Sequence, residues 1–436
     1  VGIGDHPAGP FTDALHHALA DAKTHPENIA KWDPCCFEDD DGQCYLVCGT
    51  VKSPPPYDAY LIAKLNDDMV TLAEDFRVMD YPDNPNPEDK PNLHKHGGLY
   101  YLSHASYYAT SKSVYGPYTY RGNFGANLDH GSFFSWNGQD YFASGGMDNE
   151  NRFYRASYLC YVHYRKNGEI VVDQTIMGYG VGEYEACWDT IEAEWYSAAD
   201  GTEKLEEPDG SFSVAALHAG ATLSYPNVHH MQADTPIAVR VSSGRKEGAV
   251  LCVHEDGPDG TLLGRIVVPY TGGWDRYKTI AGRLKNAPGT HTLFFVFEGG
   301  DEKLLHLDSF SLEDGKTSRY CAQASLGALT DGAQRQEDRF ATGGFCAAGL
   351  SKPDDSVTLA LDGFDGGEAE LAFIYANGAD VPCAARLYID GQPVSPISFA
   401  PTGSDAISPT PHEKRVSVHV HPGVCTITLR GDNAQG

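Results

Sequence analysis

Residues 86–102 read NPEDKPNLHKHGGLYYL and set two adjacent carboxylates, Glu88 and Asp89, just ahead of an aromatic, strand-like run. A carboxylic acid at the mouth of a strand can protonate a leaving group if its surroundings keep it protonated near neutral pH. Solvation of a polar turn is the competing use of such a pair. Successive side chains of an extended segment point to opposite sides, so Glu88 and Asp89 would not face the same pocket.

The elements that must position these groups are hairpins. DPCCFEDDDGQCYLVCG, KPNLHKHGGLYYLSHA and HGSFFSWNGQDYFASGG each place a glycine turn before a tyrosine-centred apolar run, with the turns at Gly42, Gly98 and Gly138. Asp-Gly and Asn-Gly turns of two residues require positive φ and join antiparallel strands. GPFT at Gly9 and GPYT at Gly116 form a second repeated element. Hairpins recurring at roughly 40–55 residues, with almost no helical periodicity, predict propeller blades. From about Trp188 the pattern changes to short alternating strands separated by turn clusters such as HEDGPDGTLLG, at the spacing of a β-sandwich. A further alternating unit, of similar size, runs from about Lys316 to the end.

The chain has 436 residues, and 60 acidic side chains outnumber 32 basic ones for a net charge of −28. That field repels phosphate backbones and anionic lipid, which argues against nucleic acid and membrane as partners. Neutral ligands or cations such as calcium are compatible. No run approaches the roughly 20 apolar residues of a spanning helix. The 11 cysteines fall mostly in apolar runs and show no metal-site spacing, so they are expected as reduced, buried hydrophobes.

The first 185 or so residues resemble glycoside hydrolase family 43, five-bladed propellers acting on arabinan and xylan. The segments carrying the resemblance occur in order: VGIGDHPAGPFTDAL, WDPCCFEDDDGQCYL, DKPNLHKHGGLYYLSHA, DHGSFFSWNGQDYF and YRASYLCYVHYRKNGEIV. The family hydrolyses with inversion, in which an acid and a base stand about 6.5–9.5 Å apart. The resemblance implies that Asp33 is the third carboxylate, which tunes the acid; alone, it would read as a turn-initiating Asp before Pro34. Counting back from Pro91 puts Asp89 at the position of the family's acidic glutamate, one bond of about 1.5 Å shorter. Asp89 acting through a shifted backbone, Glu88 acting through a bulge, and loss of the acid are the three alternatives. The resemblance further assigns His130 to the propeller axis, beside calcium or water, and Arg155 to the substrate pocket. Trp136 and Tyr108 are candidate sugar platforms or blade packing. The family's base belongs to a first blade that matches nothing here, so it is expected upstream of Val1.

Residues about 189–313 resemble a family 6 carbohydrate-binding module through IEAEWYSA, IVVPYTGGWDRYKTI and LLHLDSFSL. The resemblance implies a structural calcium held by Glu192, Glu194 and Asp308, oxygen ligands suited to that ion, and a sugar platform at Trp274. The partner tyrosine reads Ala216 and the closing-strand asparagine reads His306. The last unit resembles modules of families 6 and 35. The expected architecture is all-β: an incomplete five-bladed propeller over 1–187 and two sandwiches over 188–314 and 315–436. The expected function is a glycosidase releasing arabinofuranosyl or xylosyl units from plant cell-wall polysaccharide, outside the cell or at its surface. The alternatives are an inactive sugar-binding protein on a decayed propeller and a cytoplasmic location.

Overall fold

A computed structural model describes residues 1–19, 32–49, 60–85, 89–125, 130–147, 155–312, 322–338, 341, 345–364, 367–407, 412–421 and 423–432. The architecture is all-β; among the described residues helix is confined to two short 3-10 turns, Ala193–Trp195 and Ala324–Leu326. Packing separates the chain into two units, Val1–Val181 with Glu194–Ser224, and Gly182–Ala193 with Tyr225–Gly436.

In the first unit, β1 (Gly2–Ile3) pairs with β2 (Thr12–Asp13). Three four-stranded antiparallel sheets follow, each in simple up-and-down order. The first contains β3 (Trp32–Glu38), β4 (Cys44–Gly49), β5 (Tyr60–Lys64) and β6 (Arg77–Val78). The second contains β7 (Pro91–His96), β8 (Leu99–His104), β9 (Tyr107–Ser111) and β10 (Thr119–Asn123). The third contains β11 (Gly131–Trp136), β12 (Gln139–Met147), β13 (Arg155–Tyr164) and β14 (Ile170–Asp173). These are propeller blades, and their first strands lie side by side, with β7 between β3 and β11. Gly97–Gly98 and Asn137–Gly138 are two-residue turns with positive φ at both positions, as expected. The Gly42 turn is wider: Asp39 and Gln43 close a loop of Asp40, Asp41 and Gly42, with only the glycine at positive φ. Positive φ at the last residue satisfies this longer loop.

Aromatic side chains fill the space between sheets. Phe37, Tyr45, Tyr60, Leu93 and Leu102 join the first sheet to the second. Tyr101, Tyr108, Phe133, Phe142 and Val162 join the second to the third. The unit also holds β17 (Ala198–Asp200) and the hairpin of β18 (Thr202–Glu206) with β19 (Phe212–Ala216).

The second unit opens with β15 (Tyr184–Glu185) and β16 (Ile191–Glu192), which pair with β20 (Thr222–Met231) and β26 (Leu305–Ser311) respectively. One face is continued by β25 (Gly289–Glu298), β22 (Ala249–Glu255) and β23 (Thr261–Val268), the other by β21 (Pro236–Ser243) and β24 (Gly273–Arg283). Tyr225, Phe295 and Phe310 pack between them with ring centroids 4.8–5.0 Å apart. Residues beyond 327 add a five-stranded sheet, two two-stranded pairs and a separate core around Leu387, Phe399 and Cys425.

The cysteines meet the expectation of burial only in part: Cys36 is exposed, and Cys35, Cys44, Cys346 and Cys383 are half-buried. Cys48, Cys160, Cys252 and Cys425 are buried thiols, but Cys187 is disulfide-bonded. Spacing along the chain carried no sign of that pairing.

His104 is fully buried, its ring stacked obliquely 5.3 Å from Tyr60, and neither ring nitrogen has a hydrogen-bond partner among the described residues. Burial pulls its pKa from 6.5 down to about 4. Between those values the unfolded chain binds the extra proton, so this group makes stability rise with pH and fall on acidification. Replacing His104 with Phe removes a pH-dependent penalty on the order of 2 kcal/mol between pH 7 and pH 5. Thermal melts should show the H104F advantage in Tm growing as pH drops to 5; an equal offset at both pH values contradicts it.

Candidate active site

The three inner strands each begin at a residue expected in the site. Asp33 is the second residue of β3, Asp89 stands two residues before β7, and His130 immediately precedes β11. The β3–β4 ladder slips between Trp32 and Cys35, and within that bulge Asp33 takes φ +46°. A left-handed conformation is strained for a non-glycine residue, and bulges re-aim side chains beside active sites. Here the bulge brings the Asp33 carboxylate to 3.9 Å from His130 Nε2. His130 is about half exposed and Asp33 about one-third, so both face an open mouth.

Asp89 is set by its neighbours. Lys90 also takes positive φ, 65°, and its ammonium lies 3.4 Å from the Asp89 carboxylate. Gly49 pairs with Trp32 and packs under the acid: a methyl at Gly49 would sit 3.2 Å from both Asp89 Cα and Pro91 Cδ. A side chain at this close approach of β4 to the start of β7 makes the chain at Asp89 and Pro91 give way by a few tenths of an ångström. One step inward, buried Asn92 accepts a 3.0 Å hydrogen bond from the Phe133 backbone N–H, tying β7 to β11. Sequence reasoning passed over Gly49 and Asn92; the available signal was the placement of Gly49 at the end of an apolar strand and of Asn92 directly after Pro91.

Asp33, Asp89 and His130 thus lie at the same end of adjacent strands. Glu88 lies outside the described residues. Arg155 opens β13 opposite Met147, and its side chain lies outside the described set. The alternative platforms resolve against sugar contact. Tyr108 is 2% exposed within the inter-sheet core. Trp136 is exposed, but at the far end of β11, roughly 20 Å of strand from His130 at about 3.3 Å per residue.

In the module, Trp274 stands second in β24, half-buried, with His306 stacked 5.3 Å away. Glu192 pairs with Ser309, adjacent to Asp308. The Asp308 carboxylate is 2.6 Å from the Arg240 guanidinium, which supplies the positive charge that a cation would supply. Glu194 falls in the other compact unit. Among the described residues no group of three or more His, Cys, Asp or Glu side chains is placed to hold a metal.

Residues 3–106 match the model of "Glycosyl hydrolases family 43", and residues 192–314 match "Carbohydrate binding module (family 6)". The chain carries a family 43 hydrolase segment followed by a family 6 module. An arabinoxylan arabinofuranohydrolase of Paenibacillus polymyxa is 25% identical over 413 residues, 82% of this chain and 62% of the relative. A protein of the same name from Bacillus subtilis is 28% identical over 365 residues, 70% of this chain and 69% of that protein. The chain thus spans about two-thirds of the length of these curated relatives. The crystal structure of a family 43 arabinoxylan arabinofuranohydrolase from Bacillus subtilis is 25% identical, with TM-score 0.36, over 71% of this chain and 73% of that one. The family 43 match contains Asp33 and Asp89; the family 6 match contains Glu192, Glu194, Trp274 and Asp308.

If β4 sets the acid of the family 43 segment, Gly49→Ala displaces Asp89 by a few tenths of an ångström or more. The complete protein should then lose about tenfold or more in kcat, since misplacement of a reacting group is costly, with KM little changed. Steady-state hydrolysis of an aryl arabinofuranoside reads this; unchanged kcat contradicts the placement.

Proposed function

We propose that the protein is a glycoside hydrolase that removes arabinofuranosyl or xylosyl units from plant hemicellulose by single displacement with inversion. The observation that carries the proposal is the convergence of Asp33 and His130 beside the strand that begins after Asp89. Asp89 is the proton donor to the leaving oxygen. Asp33 acts on it as the neighbouring like charge that favours the protonated form. His130 orients Asp33 and borders the sugar, and Arg155 is the candidate for binding the substrate's hydroxyls. The base that activates water on the opposite face of the sugar is not assigned to a residue of this chain. The names of the Paenibacillus and Bacillus relatives support arabinose on xylan as the side group removed.

The module over residues 192–314 binds the polymer and keeps the hydrolase segment near its substrate, a gain in effective concentration that needs no new catalytic contact. The unit from residue 315 onward is proposed as a second module of the family 6 and 35 type. A polymeric substrate and the disulfide at Cys187 both favour an extracellular or cell-surface setting. Among the described residues no helix is long and apolar enough to cross a membrane. The decayed, non-hydrolysing propeller is the less favoured reading.

Two measurements test this. In the complete protein, Asp89→Asn should lower kcat on aryl α-L-arabinofuranoside or aryl β-D-xyloside by about 100-fold or more, while Glu88→Gln leaves it near the original value. The reverse pattern moves the acid to Glu88, and no hydrolysis of either glycoside by the unaltered protein removes the enzyme reading. A structural calcium in the module, on Glu192, Glu194 and Asp308, is proposed separately. Calcium addition after EDTA treatment should raise the module's Tm by several degrees through preferential binding to the folded state; an unchanged melt leaves the Arg240 ion pair as the charge partner.

A further inference from the structure

The second unit holds a pocket of about 740 Å³ floored by Trp274 and walled by Arg245 and Lys303, all three half-buried. Its geometry is built. Ser242 Oγ donates 2.6 Å to the Trp274 carbonyl, and Ser243 Oγ donates 2.8 Å to the Leu304 carbonyl, which ties together the two loops that form the walls. A methyl at Gly244 would fall 2.5 Å from the indole Nε1, so the ring lies directly on backbone there. His306 stacks on Trp274 at an interplanar angle of 28°.

Lys303 Nζ stands 4.3 Å from the centroid of the indole. The Arg245 Nε donates to the Gly248 carbonyl at 3.4 Å, and its guanidinium lies against Gly300, where a methyl would come within 3.0 Å. Among the described residues, neither Lys303 nor Arg245 makes an ion pair, although the chain carries a net charge of −28. The acids of the pocket, Glu247, Asp301 and Glu302, stand exposed at the rim with Lys246. Two inward cations without carboxylate partners, beside an aromatic floor, are a poor match to a neutral sugar. Such a sugar would have to displace the Lys303 ammonium to stack fully on the indole, giving up a cation–π contact.

We propose that this pocket binds a uronic acid unit of the polysaccharide. The apolar C–H face of the sugar rests on the part of the indole that Lys303 leaves open. The sugar carboxylate takes charge-assisted hydrogen bonds from the Lys303 ammonium and the Arg245 guanidinium. The rim acids set specificity by repelling ligands with further negative charge, such as runs of adjacent uronates. The proposal rests on the reading of residues 192–314 as a sugar-binding module, and it selects substrates that carry acidic side groups.

Calorimetric titration of the complete protein with xylotetraose, with and without a single glucuronic acid branch, tests it. At 50 mM NaCl the branched ligand should bind about tenfold more tightly, as a charge-assisted pair requires. At 500 mM NaCl the advantage should shrink, because these groups are only half-buried. Lys303→Gln and Arg245→Gln should each remove most of the advantage, and Trp274→Ala should weaken both ligands. Equal binding of the two ligands, or an advantage that survives both cation substitutions, overturns the proposal. Tighter binding of the neutral ligand by Lys303→Gln also overturns it, because Lys303 is then only a cover for the platform. If neither ligand binds while the same sample hydrolyses aryl arabinofuranoside, the pocket assignment fails and the glycosidase reading stands.

Discussion

Among the described residues no backbone ladder joins one propeller sheet to the next, so the candidate site depends on side chains to set the registry between sheets. The hydrogen bond from the Phe133 N–H to the buried Asn92 Oδ1 does this between the second and third sheets. Asn92 also receives the Ser103 hydroxyl on its own carbonyl, which binds it into its own sheet. A buried backbone N–H left unpaired is expensive, so this contact admits one register and not its neighbours. Between the first and second sheets the equivalent constraint is steric: Gly49 leaves just enough room for the chain at Asp89 and Pro91.

Packing of aromatic rings holds these constraints in place. His94 lies between Tyr101 and Phe133, with ring centroids 5.0 and 4.5 Å away, and shares a 2.9 Å hydrogen bond with the Tyr164 hydroxyl. Burial brings its pKa down to about 3, so it is a neutral ring at ordinary pH and behaves as part of the core. At the opposite end of the strands, Asp39 takes hydrogen bonds from Lys95 and Tyr100, which closes the first sheet onto the second. The ends of the inner strands are therefore held differently: Asp39 bridges two sheets through Lys95 and Tyr100 at the turn end, while at the site end Asp33 and Lys90 take positive φ. Strain is tolerated at Asp33 because the surrounding sheet over-determines it.

The module follows the same rule with different parts. Its pocket is formed where two loops are hydrogen-bonded to each other through Ser243 and Leu304, and the charged side chains project from those fixed loops. Among the described residues the two cations that line this pocket, Arg245 and Lys303, make no ion pair, although the chain is strongly acidic. Carboxylates stand at the propeller mouth, and an ammonium and a guanidinium line the module pocket.

Much of this was legible in the residues themselves. Glycine turns followed by tyrosine-rich runs announced hairpins, because positive φ and two-residue alternation are local properties of the chain. The resemblance of those hairpins to family 43 led to Asp33, Asp89 and His130, and the structure sets them at the same end of adjacent strands. Tyr108 and Trp136 were not decidable by type, since an aromatic ring serves a core or a platform equally well until its neighbours are known. The disulfide at Cys187, the bulge that turns Asp33 toward His130, and the Lys303 ammonium over Trp274 were equally hidden. The bulge depends on a local slip of register, and the Lys303–Trp274 contact joins residues well apart in the chain. The sequence by itself determined the strands, the turns and the carboxylates available for proton transfer. Only the tertiary structure decided which of them meet, because contacts between sheets are set by packing and not by any local preference of the chain.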